Sequence, residues 1–472
     1  MTALAERPVR RDDPVGRVPG RPAPSPAVRD RVVRAVARAA VAAALVAITL
    51  SWATGGGLAD LGEWSSGLTS LGRLTGVLAS LLMLVQVLLM ARVPLLERAF
   101  GQDRLAVMHG LVGFTSFTGM IAHVGLITWG YAAGDLAAAP GELWNLTVSY
   151  PGMLLAAAGT ACLVLVTVTS MSAARARMRY ESWHLLHLYA YLGVGLALPH
   201  QLWTGQEFLA SMARTLFWWT AWALAAAAVL VWRVGLPVWR TLHHRLVVTA
   251  VVPEGDGCVS VYLTGEHLGE LDVRAGQFLT WRFLTGTGWM RAHPFSLSAA
   301  PDGRSLRITV KDLGDGTAAV PGLRAGTRVL IEGPFGRLTG RVRTCPGVAL
   351  IGAGVGITPL RALAEDLGAG ADVVVLHRFT GPPLFAREFA VLARERRLAL
   401  VPLPGRRRAP DSWLGPGVGP ADDATVLRSR VPDIAERDVF VCGPVPWTGL
   451  VQDTLLAAGV PADRVHVETF AW

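Results

Sequence analysis

Six long apolar runs fill the first half of the chain, and they constrain its fold more than any other feature. A helix needs about 20 apolar residues to cross the hydrocarbon core of a bilayer, where backbone polar groups must be hydrogen-bonded within the protein. The runs cover approximately residues 32–54, 74–97, 105–131, 151–172, 183–203 and 216–238. They predict a six-helix transmembrane bundle.

The arginine distribution indicates how this bundle is oriented. The links at 92–104 and 175–179 and the exit after Arg233 are rich in arginine, whereas the intervening links at 55–72 and 134–149 carry no lysine or arginine. Basic residues concentrate on the cytoplasmic side of membrane proteins. We therefore expect a multi-pass protein of the cell membrane with both termini in the cytoplasm.

The remaining composition narrows the class of protein. Most arginines flank apolar runs, so the net charge of +9 indicates membrane topology, and no nucleic-acid partner is expected. Residues 1–30 are rich in Pro, Arg and Asp and have no apolar segment, which predicts a disordered cytoplasmic tail rather than a signal peptide. The four cysteines are scattered without a CxxC pair, so neither a disulfide framework nor a zinc knuckle is indicated.

The second half of the chain has a different pattern. Short β-rich runs such as VSVYLTG and SLRITVKD, separated by Gly/Pro turns, predict an antiparallel β-barrel domain over 239–343. From 344 to 472, apolar strands alternate with helical segments, which predicts a parallel-sheet α/β domain. With the tail and a membrane domain over 31–238, the chain is expected to have three folded parts.

Four histidines lie inside two of the apolar runs. His109 and His123 are 14 residues apart in the third run, and His187 and His200 are 13 apart in the fifth. Ionisable residues at membrane depth are rare and usually functional. At 1.5 Å per residue each separation is roughly 20 Å, so one pair would lie near each side of the bilayer. Because imidazole is a common axial ligand of haem iron, the pattern predicts two stacked b-type haems.

Several alternatives to this interpretation remain open. Thirteen residues leave about 140° of angular mismatch on an ideal helix, which a local distortion at Pro199, Gly193 or Gly195 would correct. His184, one turn before His187, is a rival ligand. Zinc needs three or four ligands at one point, which four residues at two levels do not offer. A proton relay of histidines is a further possibility.

The histidine pattern resembles that of the ferric reductase/NADPH oxidase superfamily. In that family, as here, two histidines separated by thirteen residues precede two separated by twelve on a later span. Flavin and nicotinamide motifs then follow in the family's order, and the resemblance runs from about residue 70 to the end of the chain. It implies electron transfer from cytoplasmic NAD(P)H through FAD and two haems to an external acceptor.

The flavin motifs that carry this resemblance are HPFSLSAAP (293–301), VKDLGDGT (310–317) and GPFG (333–336). The resemblance implies that Ser296 approaches the reactive edge of the flavin. A cation and a glycine-lined turn can offer charge and N–H groups to a diphosphate. The implied FAD-binding residues are His293, Pro294, Phe295, Ser296, Lys311, Gly314, Thr317, Gly333 and Gly336.

The nicotinamide motifs are IGAGVGITP (351–359) and VFVCGP (439–444). Glycines before a helix let the backbone approach a pyrophosphate. The resemblance implies that Cys442 lies near the hydride-transfer carbon. The implied nucleotide-binding residues are Gly352, Gly354, Gly356, Thr358, Gly443 and Pro444.

Two features near the ends of strands concern cofactor choice and flavin access. Arg378 ends the second strand of the α/β domain, where arginine suits a 2′-phosphate, so NADPH is favoured over NADH. Glu468 and Phe470 resemble the family's terminal acid and aromatic, whose ring covers the flavin. Because the chain continues to Trp472, either aromatic is a candidate for that role.

The leading hypothesis is therefore an NAD(P)H-dependent flavocytochrome b oxidoreductase that reduces a ferric chelate or oxygen outside the cell. One alternative is a membrane-anchored flavin reductase without transmembrane electron transfer. Another is a non-catalytic haem-binding membrane protein, against which the intact flavin and nicotinamide motifs argue. Neither the external acceptor nor the oligomeric state is indicated by any motif.

Overall fold

The computed structural model describes residues 26–178, 180–285, 291–314, 316–368, 370–396, 398–417 and 419–470. The predicted tail up to residue 25 and Trp472 lie outside the described residues.

The first half of the described chain is helical. Short π-helical segments, Ala53–Gly57 and Val229–Gly235, extend the first and tenth helices. The helices are α1 (Pro26–Trp52), α2 (Trp64–Met90), α3 (Pro94–Phe100), α4 (Gln102–Tyr131), α5 (Ala139–Ser149), α6 (Met153–Ser170), α7 (Ser172–Arg175), α8 (Tyr180–Trp203), α9 (Gln206–Leu209), α10 (Met212–Ala228) and α11 (Leu236–His244).

Among the described residues, five segments are long and apolar enough to span a membrane. They are Val28–Gly57, Trp64–Met90, Gln102–Tyr131, Met153–Ser170 and Met212–His244. The fifth predicted span corresponds to α8, which is not one of the five and carries three histidines. The fifth predicted span, and with it the total of six, therefore stays a prediction.

Small residues let α6 and α8 approach closely. A Cβ added to Gly159 of α6 would lie 2.6 Å from the carbonyl oxygen of Gly193 in α8, and one added to Gly193 would lie 2.9 Å from the carbonyl oxygen of Gly159. No larger residue fits at this crossing without separating the backbones. This contact fixes α8 along α6, while α2 packs along α4.

Two three-stranded antiparallel sheets follow the helices, in the orders β1-β2-β5 and β4-β3-β6. Alternate residues of β3 are buried, and Leu279 and Trp281 are fully buried in the one core that both sheets share. The strands are β1 (Val247–Gly255), β2 (Cys258–Thr264), β3 (Phe278–Phe283), β4 (His293–Ser296), β5 (Ser305–Lys311) and β6 (Val329–Phe335).

The last part is a five-stranded parallel sheet with helices on both faces, in the order β11-β10-β7-β8-β9. All carboxyl ends of its strands meet at one edge, which is where open α/β sheets bind ligands. Its elements are β7 (Gly347–Ala353), α12 (Ile357–Asp366), β8 (Asp372–Phe379), α13 (Ala386–Glu395), β9 (Leu398–Pro404), α14 (Asp423–Arg430), β10 (Asp438–Pro444), α15 (Val445–Ala457) and β11 (Val465–Phe470).

An ion-pair network joins the two C-terminal parts. Both terminal nitrogens of the buried Arg307 guanidinium, in β5, donate to the Glu388 carboxylate of α13, each over 2.9 Å. Arg361 of α12 contacts the same carboxylate at 2.6 Å. A bidentate arginine–carboxylate pair constrains both distance and orientation. The network therefore holds α12 and α13 of the parallel-sheet part against the antiparallel sheets.

Candidate active site in the helical region and the C-terminal sheets

Two pairs of histidine rings face each other between α4 and α8. The ring centroids of His109 and His187 are 5.9 Å apart, and those of His123 and His200 are 6.3 Å apart. A metal with two axial imidazoles at about 2 Å each separates the ring centroids by roughly 6 Å. Each pair therefore has the spacing needed to hold one metal ion between its rings.

Hydrogen bonds indicate which ring nitrogen of each α4 histidine is unprotonated. Nδ1 of His109 lies 3.2 Å from the carbonyl oxygen of Gln86, and Nδ1 of His123 lies 2.8 Å from that of Gly72. A carbonyl oxygen only accepts, so each Nδ1 carries the proton and donates it. In the neutral ring Nε2 is then unprotonated, which is the state that binds a metal.

The α8 histidines have hydroxyl partners at the same nitrogen. Nδ1 of His187 is 3.1 Å from Oγ of Ser170, and Nδ1 of His200 is 2.7 Å from Oγ1 of Thr204. All four Nδ1 atoms are thus engaged by a second group, as in protein metal sites where such partners orient the ligand. His187 rather than His184 has its ring against His109, so the geometry favours His187 as the inner ligand.

The α2 backbone leaves room for one of these rings. A Cβ added to Gly76 would lie 2.5 Å from Nδ1 and 2.9 Å from Cε1 of His123, closer than non-bonded atoms approach. Glycine is therefore needed opposite the His123 ring. Ring spacing, donor chemistry and this glycine together fit a b-type haem with two histidine ligands at each level.

A small cavity collects many of the predicted flavin and nicotinamide residues. It has an empty volume of about 320 Å³. Residues of the antiparallel sheets meet residues from the carboxyl edge of the parallel sheet in its lining. The lining includes Pro294, Phe295, Ser296, Lys311, Thr358 and Phe470.

The predicted terminal acid lies beside the predicted flavin serine. Ser296 Oγ donates to Oε1 of Glu468 over 3.5 Å. Burial, followed by the negative charge of Asp103 in the first turn of α4, raises the pKa of Glu468 to about 8. The carboxyl group therefore holds a proton at neutral pH. Asp103 belongs to α4, the helix that also carries His109.

The predicted cysteine lies at the centre of the parallel sheet. Cys442 is fully buried on β10, where it pairs with Gly352 of β7 and Glu468 of β11. Burial raises the pKa of its thiol well above the ordinary value, and the charge of Glu468 adds to the effect. The thiol is therefore neutral, and it is suited to packing or weak hydrogen bonding rather than to nucleophilic attack.

Glycines surround the start of α12 and the end of β10. Gly354 has a φ of 54°, and α12 begins at Ile357 directly after Gly356. A Cβ added to Gly443, next to Pro444, would lie 2.8 Å from the Trp447 ring. The N-terminus of α12 thus lies at the sheet edge beside a loop of small residues, an arrangement suited to a phosphate group.

The predicted diphosphate segment forms a tight turn. Gly314 has a φ of 120°, and the Thr317 hydroxyl accepts from the backbone N–H of Leu313 over 2.8 Å. Lys311 pairs with Asp256 at 2.8 Å. Thr317 therefore stabilises the turn, and its predicted contact with a pyrophosphate stays a prediction, as does that of Lys311.

A larger cavity, with an empty volume of about 710 Å³, is lined by residues of both the membrane helices and β6. Its lining includes Arg92 and Arg240 on the membrane side and the GPFG segment from Gly333 to Gly336. The Arg92 guanidinium lies 4.1 Å from the centroid of the Phe335 ring, and Arg240 donates to the carbonyl oxygen of Gly333. A Cβ added to Gly336 would lie 3.2 Å from Oε2 of Glu468, so this cavity adjoins the smaller one.

Arg378 does not have the environment expected of a phosphate ligand. Its side chain is buried, and its terminal nitrogens donate to the carbonyl oxygens of Trp413 and Gly405, each over 3.0 Å. These bonds connect β8 to two neighbouring loops. The predicted contact between Arg378 and a 2′-phosphate stays a prediction that the geometry does not favour.

Residues 75–198 match the family described as the ferric reductase like transmembrane component. The chain is 33% identical over 206 residues to the ferredoxin reductase component of 3-ketosteroid-9-alpha-monooxygenase from Mycolicibacterium smegmatis, covering 41% of this chain and 55% of that protein. It is 29% identical over 240 residues to a flavohemoprotein from Xylella fastidiosa, covering 48% of this chain and 58% of that protein. The transmembrane match is thus combined with flavohemoprotein and ferredoxin-reductase-type homology. The chain fits the ferric reductase/NADPH oxidase-like superfamily.

The family match and the five apolar helices make this a membrane protein. The chain spans only slightly more than half the length of the two curated relatives named above. Among solved structures, it is 19% identical to a flavohemoglobin from Malassezia yamatoensis with bound FAD and heme, with a TM-score of 0.42 and coverage of 83% of this chain and 98% of that one.

Two residues near the site were not singled out by the sequence. Asp103 lies within the arginine-rich link at 92–104 and looks like an ordinary acid at a helix start, yet its charge raises the pKa of Glu468. His377 is buried beside the loop at Gly354, and its Nε2 has no hydrogen-bond partner within the described ranges. Only one sequence feature could have indicated His377, namely its position as a histidine at the carboxyl end of an otherwise apolar strand.

Proposed function

We propose that this protein is a transmembrane oxidoreductase that carries electrons from cytoplasmic NAD(P)H through FAD and two b-type haems to an acceptor outside the cell. The observation that carries the proposal is the pair of facing histidine couples, His109–His187 and His123–His200, with every Nδ1 engaged by a second group. A role in helix packing alone does not explain why the histidines form two matched pairs at two depths.

The proposed orientation rests on charge. Arg92 and Arg240 lie at the ends of membrane helices and contact the reductase half, and the positive-inside rule assigns such ends to the cytoplasm. The His109 level is then the inner one and the His123 level the outer one. This order supports entry of electrons from the reductase half and their exit near the opposite surface.

Bound FAD would convert a hydride into single electrons, and haem would supply a redox site at each membrane level. The side chains of the protein would bind these cofactors and orient them. Phe295 and Ser296 line one side of the small cavity, and Thr358 and Phe470 come from the nucleotide half. Because Phe470 lines this cavity, we assign to it the covering of a bound flavin ring until nicotinamide displaces it.

Glu468 has a separate role in this proposal. At neutral pH its carboxyl group keeps a proton within hydrogen-bond reach of Ser296. A neutral carboxyl group stabilises a developing negative charge nearby and can donate its proton to it. We assign to Glu468 the stabilisation of negative charge at the edge of the flavin next to Ser296.

The nucleotide is proposed to bind at the carboxyl edge of the parallel sheet, with its pyrophosphate at the N-terminus of α12. Since Arg378 is occupied by backbone carbonyls, a 2′-phosphate needs another cation. Arg406 follows β9, the strand next to β8, and its side chain is exposed at the same edge. Arg406 is therefore the better candidate for a contact that selects NADPH.

The test is an absorption spectrum of the purified full-length protein, followed by anaerobic addition of NADPH. We expect about two haems and one FAD per chain, a flavin that loses its absorbance first, and haem bands that then shift to the reduced form. FAD without haem would support a membrane-anchored flavin reductase instead. Haem that NADPH cannot reduce would support a non-catalytic haem protein.

A further inference from the structure

A cluster of imidazole and carboxylate groups lies where the last membrane helix meets the antiparallel sheets. His243 is in the last turn of α11, while His267 and Glu270 lie in the loop between β2 and β3. Nε2 of His243 is 2.9 Å from Oε2 of Glu270, and Nδ1 of His267 is 3.6 Å from Oε1 of Glu270. One ligand atom from each residue lies within 4.8 Å of the other two.

These separations suit a small tetrahedral cation. With bonds of about 2.1 Å, a tetrahedral zinc ion keeps its ligand atoms about 3.4 Å apart. The separations of 2.9 Å and 3.6 Å, each to a different oxygen of the Glu270 carboxylate, lie on either side of that value, and all three ligand atoms lie within 4.8 Å of one another. The side chains of His267 and Glu270 are more than half exposed, so small rotations can bring their ligand atoms to bonding distance.

The backbone on both sides of the cluster is fixed. The Glu266 N–H donates to the carbonyl oxygen of His244 over 2.7 Å, and Nδ1 of the buried His244 contacts the carbonyl oxygen of Glu266 at 3.2 Å. Arg245 pairs with Glu266 at 3.4 Å. The end of α11 and the loop are therefore held together independently of the three candidate ligands, which is the support a metal site needs.

The His243 ring is also constrained. It stacks on Trp239, one turn earlier in α11, with centroids 4.7 Å apart and planes at 13°. It stacks on His267 with centroids 4.6 Å apart and planes at 12°. The lone pair of an imidazole nitrogen lies in the ring plane, so the exposed His267 ring must turn out of this stack for both nitrogens to face one ion. The stack on Trp239 restricts the rotamers of His243, so less conformational entropy is lost when that ring binds an ion.

We propose that His243, His267 and Glu270 form a binding site for zinc or a similar divalent transition-metal ion, with water as the fourth ligand. Two imidazoles and one carboxylate suit such ions, whereas Mg²⁺ and Ca²⁺ prefer all-oxygen sites. The site is distinct from the haem ligands and from the flavin and nucleotide residues. Because Arg240, one turn before His243, contacts Gly333, a bound ion would restrain the junction between the membrane helices and the reductase half.

The experiment uses the full-length protein with its haem and flavin bound, treated with chelator and then dialysed against increasing Zn²⁺. Bound zinc is measured by elemental analysis, alongside the thermal unfolding midpoint. We expect the wild-type protein to bind one more zinc ion per chain than His267→Ala does, and to show a rise in midpoint that His267→Ala lacks. His243→Ala and Glu270→Gln should each weaken binding by about tenfold or more.

Glu266→Gln is the matched control, because Glu266 lies in the same loop and pairs with Arg245 without being a candidate ligand. It should bind zinc as the wild-type protein does. Equal zinc binding by the wild-type, His243→Ala and His267→Ala proteins would overturn the proposal. An equal loss of zinc binding in Glu266→Gln would also overturn the proposal, because it would show that zinc binding depends on the conformation of the loop and not on the three proposed ligands. Haem and FAD absorbance verify that each variant is folded.

Discussion

Ser296 Oγ lies 3.5 Å from Oε1 of Glu468, so one side chain of the antiparallel sheets meets one from the last strand of the parallel sheet. The pair forms only when the antiparallel sheets and the parallel sheet lie together, because each of them contributes one of the two residues. The ion-pair network of Arg307, Arg361 and Glu388 keeps the two halves in the arrangement that forms it. The contact therefore depends on domain docking, and its chemistry depends on the protonation of Glu468.

We expect flavin reduction by NAD(P)H to slow as pH rises through about 8, and Glu468→Gln to abolish this dependence. The folded-state pKa of Glu468, about 8, lies above its ordinary 4.5, so the proton is present below about pH 8 and is lost above it. Glutamine keeps a donor at every pH. Stopped-flow flavin absorbance across this range measures the effect.

The control for this prediction is Glu395→Gln, which changes an exposed glutamate of α13. It should retain the wild-type pH profile. The role assigned to Glu468 is wrong if Glu468→Gln slows with pH in the same way as the wild-type protein does.

The histidine pairs predict a selective loss of haem. Replacing His200 with alanine removes one ligand from the outer pair only, so haem content should fall towards half and reduction of an external acceptor should be lost. The reductase half should still reduce a soluble dye with NADPH on the cytoplasmic side. His187→Ala should disturb the inner haem instead, and the pyridine haemochrome spectrum measures both outcomes.

His184→Ala is the matched control, because it removes an imidazole one turn from His187 on the same helix. It should keep both haems. Full haem content in His200→Ala would show that the outer pair packs rather than binds, and loss of haem in His184→Ala alone would make His184 the inner ligand.

Much of this site follows from sequence because its residues lie in recognisable runs. Apolar length and histidine spacing predicted two ligand levels, and glycine-rich turns predicted where cofactors would approach. The choice between His184 and His187 depends on helix tilt and rotation, which ideal angular spacing does not contain. The carbonyl partners at Gln86 and Gly72 are backbone atoms, so no residue type marks them.

Other differences between sequence and structure have the same origin in tertiary packing. An arginine at the end of a second strand is a reasonable phosphate ligand, but the loops at Gly405 and Trp413 fold over Arg378 and occupy its donors. Asp103 and Glu468 are far apart in the chain, and only docking of the reductase half beneath α4 brings their charges together.

Gly76 provides a test of haem binding that leaves every ligand in place. A Cβ at this position would lie 2.5 Å from Nδ1 of His123, so Gly76→Ala should push the ring away and reduce the outer haem content. A helical glycine-to-alanine change otherwise stabilises a protein by about 0.5–1 kcal/mol. Gly110→Ala and Gly125→Ala in α4, where an added Cβ meets no atom within 4 Å, are the controls. Equal haem content in all three variants would contradict the proposed position of His123.

The buried thiol predicts an effect of Cys442→Ser on hydride transfer rather than on FAD retention. Serine is smaller and more polar, so it leaves the packing around Phe470 and the Gly352 strand poorly filled. We expect flavin reduction to slow by about tenfold, since a loss of about 1.4 kcal/mol in the transition state has that effect. Cys258→Ser, at a buried cysteine of β2, should leave the rate unchanged. An unchanged rate in Cys442→Ser would remove this residue from the nicotinamide site.

Arg240 tests whether the contact between the membrane helices and the reductase half controls the passage of electrons. Its side chain donates to the carbonyl oxygen of Gly333 and lines the large cavity that adjoins Glu468. Arg240→Ala removes this bond but no cofactor ligand, so NADPH should reduce the flavin at the wild-type rate. Reduction of the inner haem should slow by on the order of 10- to 100-fold, because small displacements of reacting groups have effects of that size.

Anaerobic stopped-flow spectroscopy separates the two steps, since flavin and haem absorb at different wavelengths. Arg274→Ala, at an exposed arginine of the loop before β3, is the control and should change neither step. If Arg240→Ala slows flavin reduction and leaves the subsequent haem step unchanged, the junction does not set the flavin-to-haem rate, and Arg240 acts on the reductase half alone.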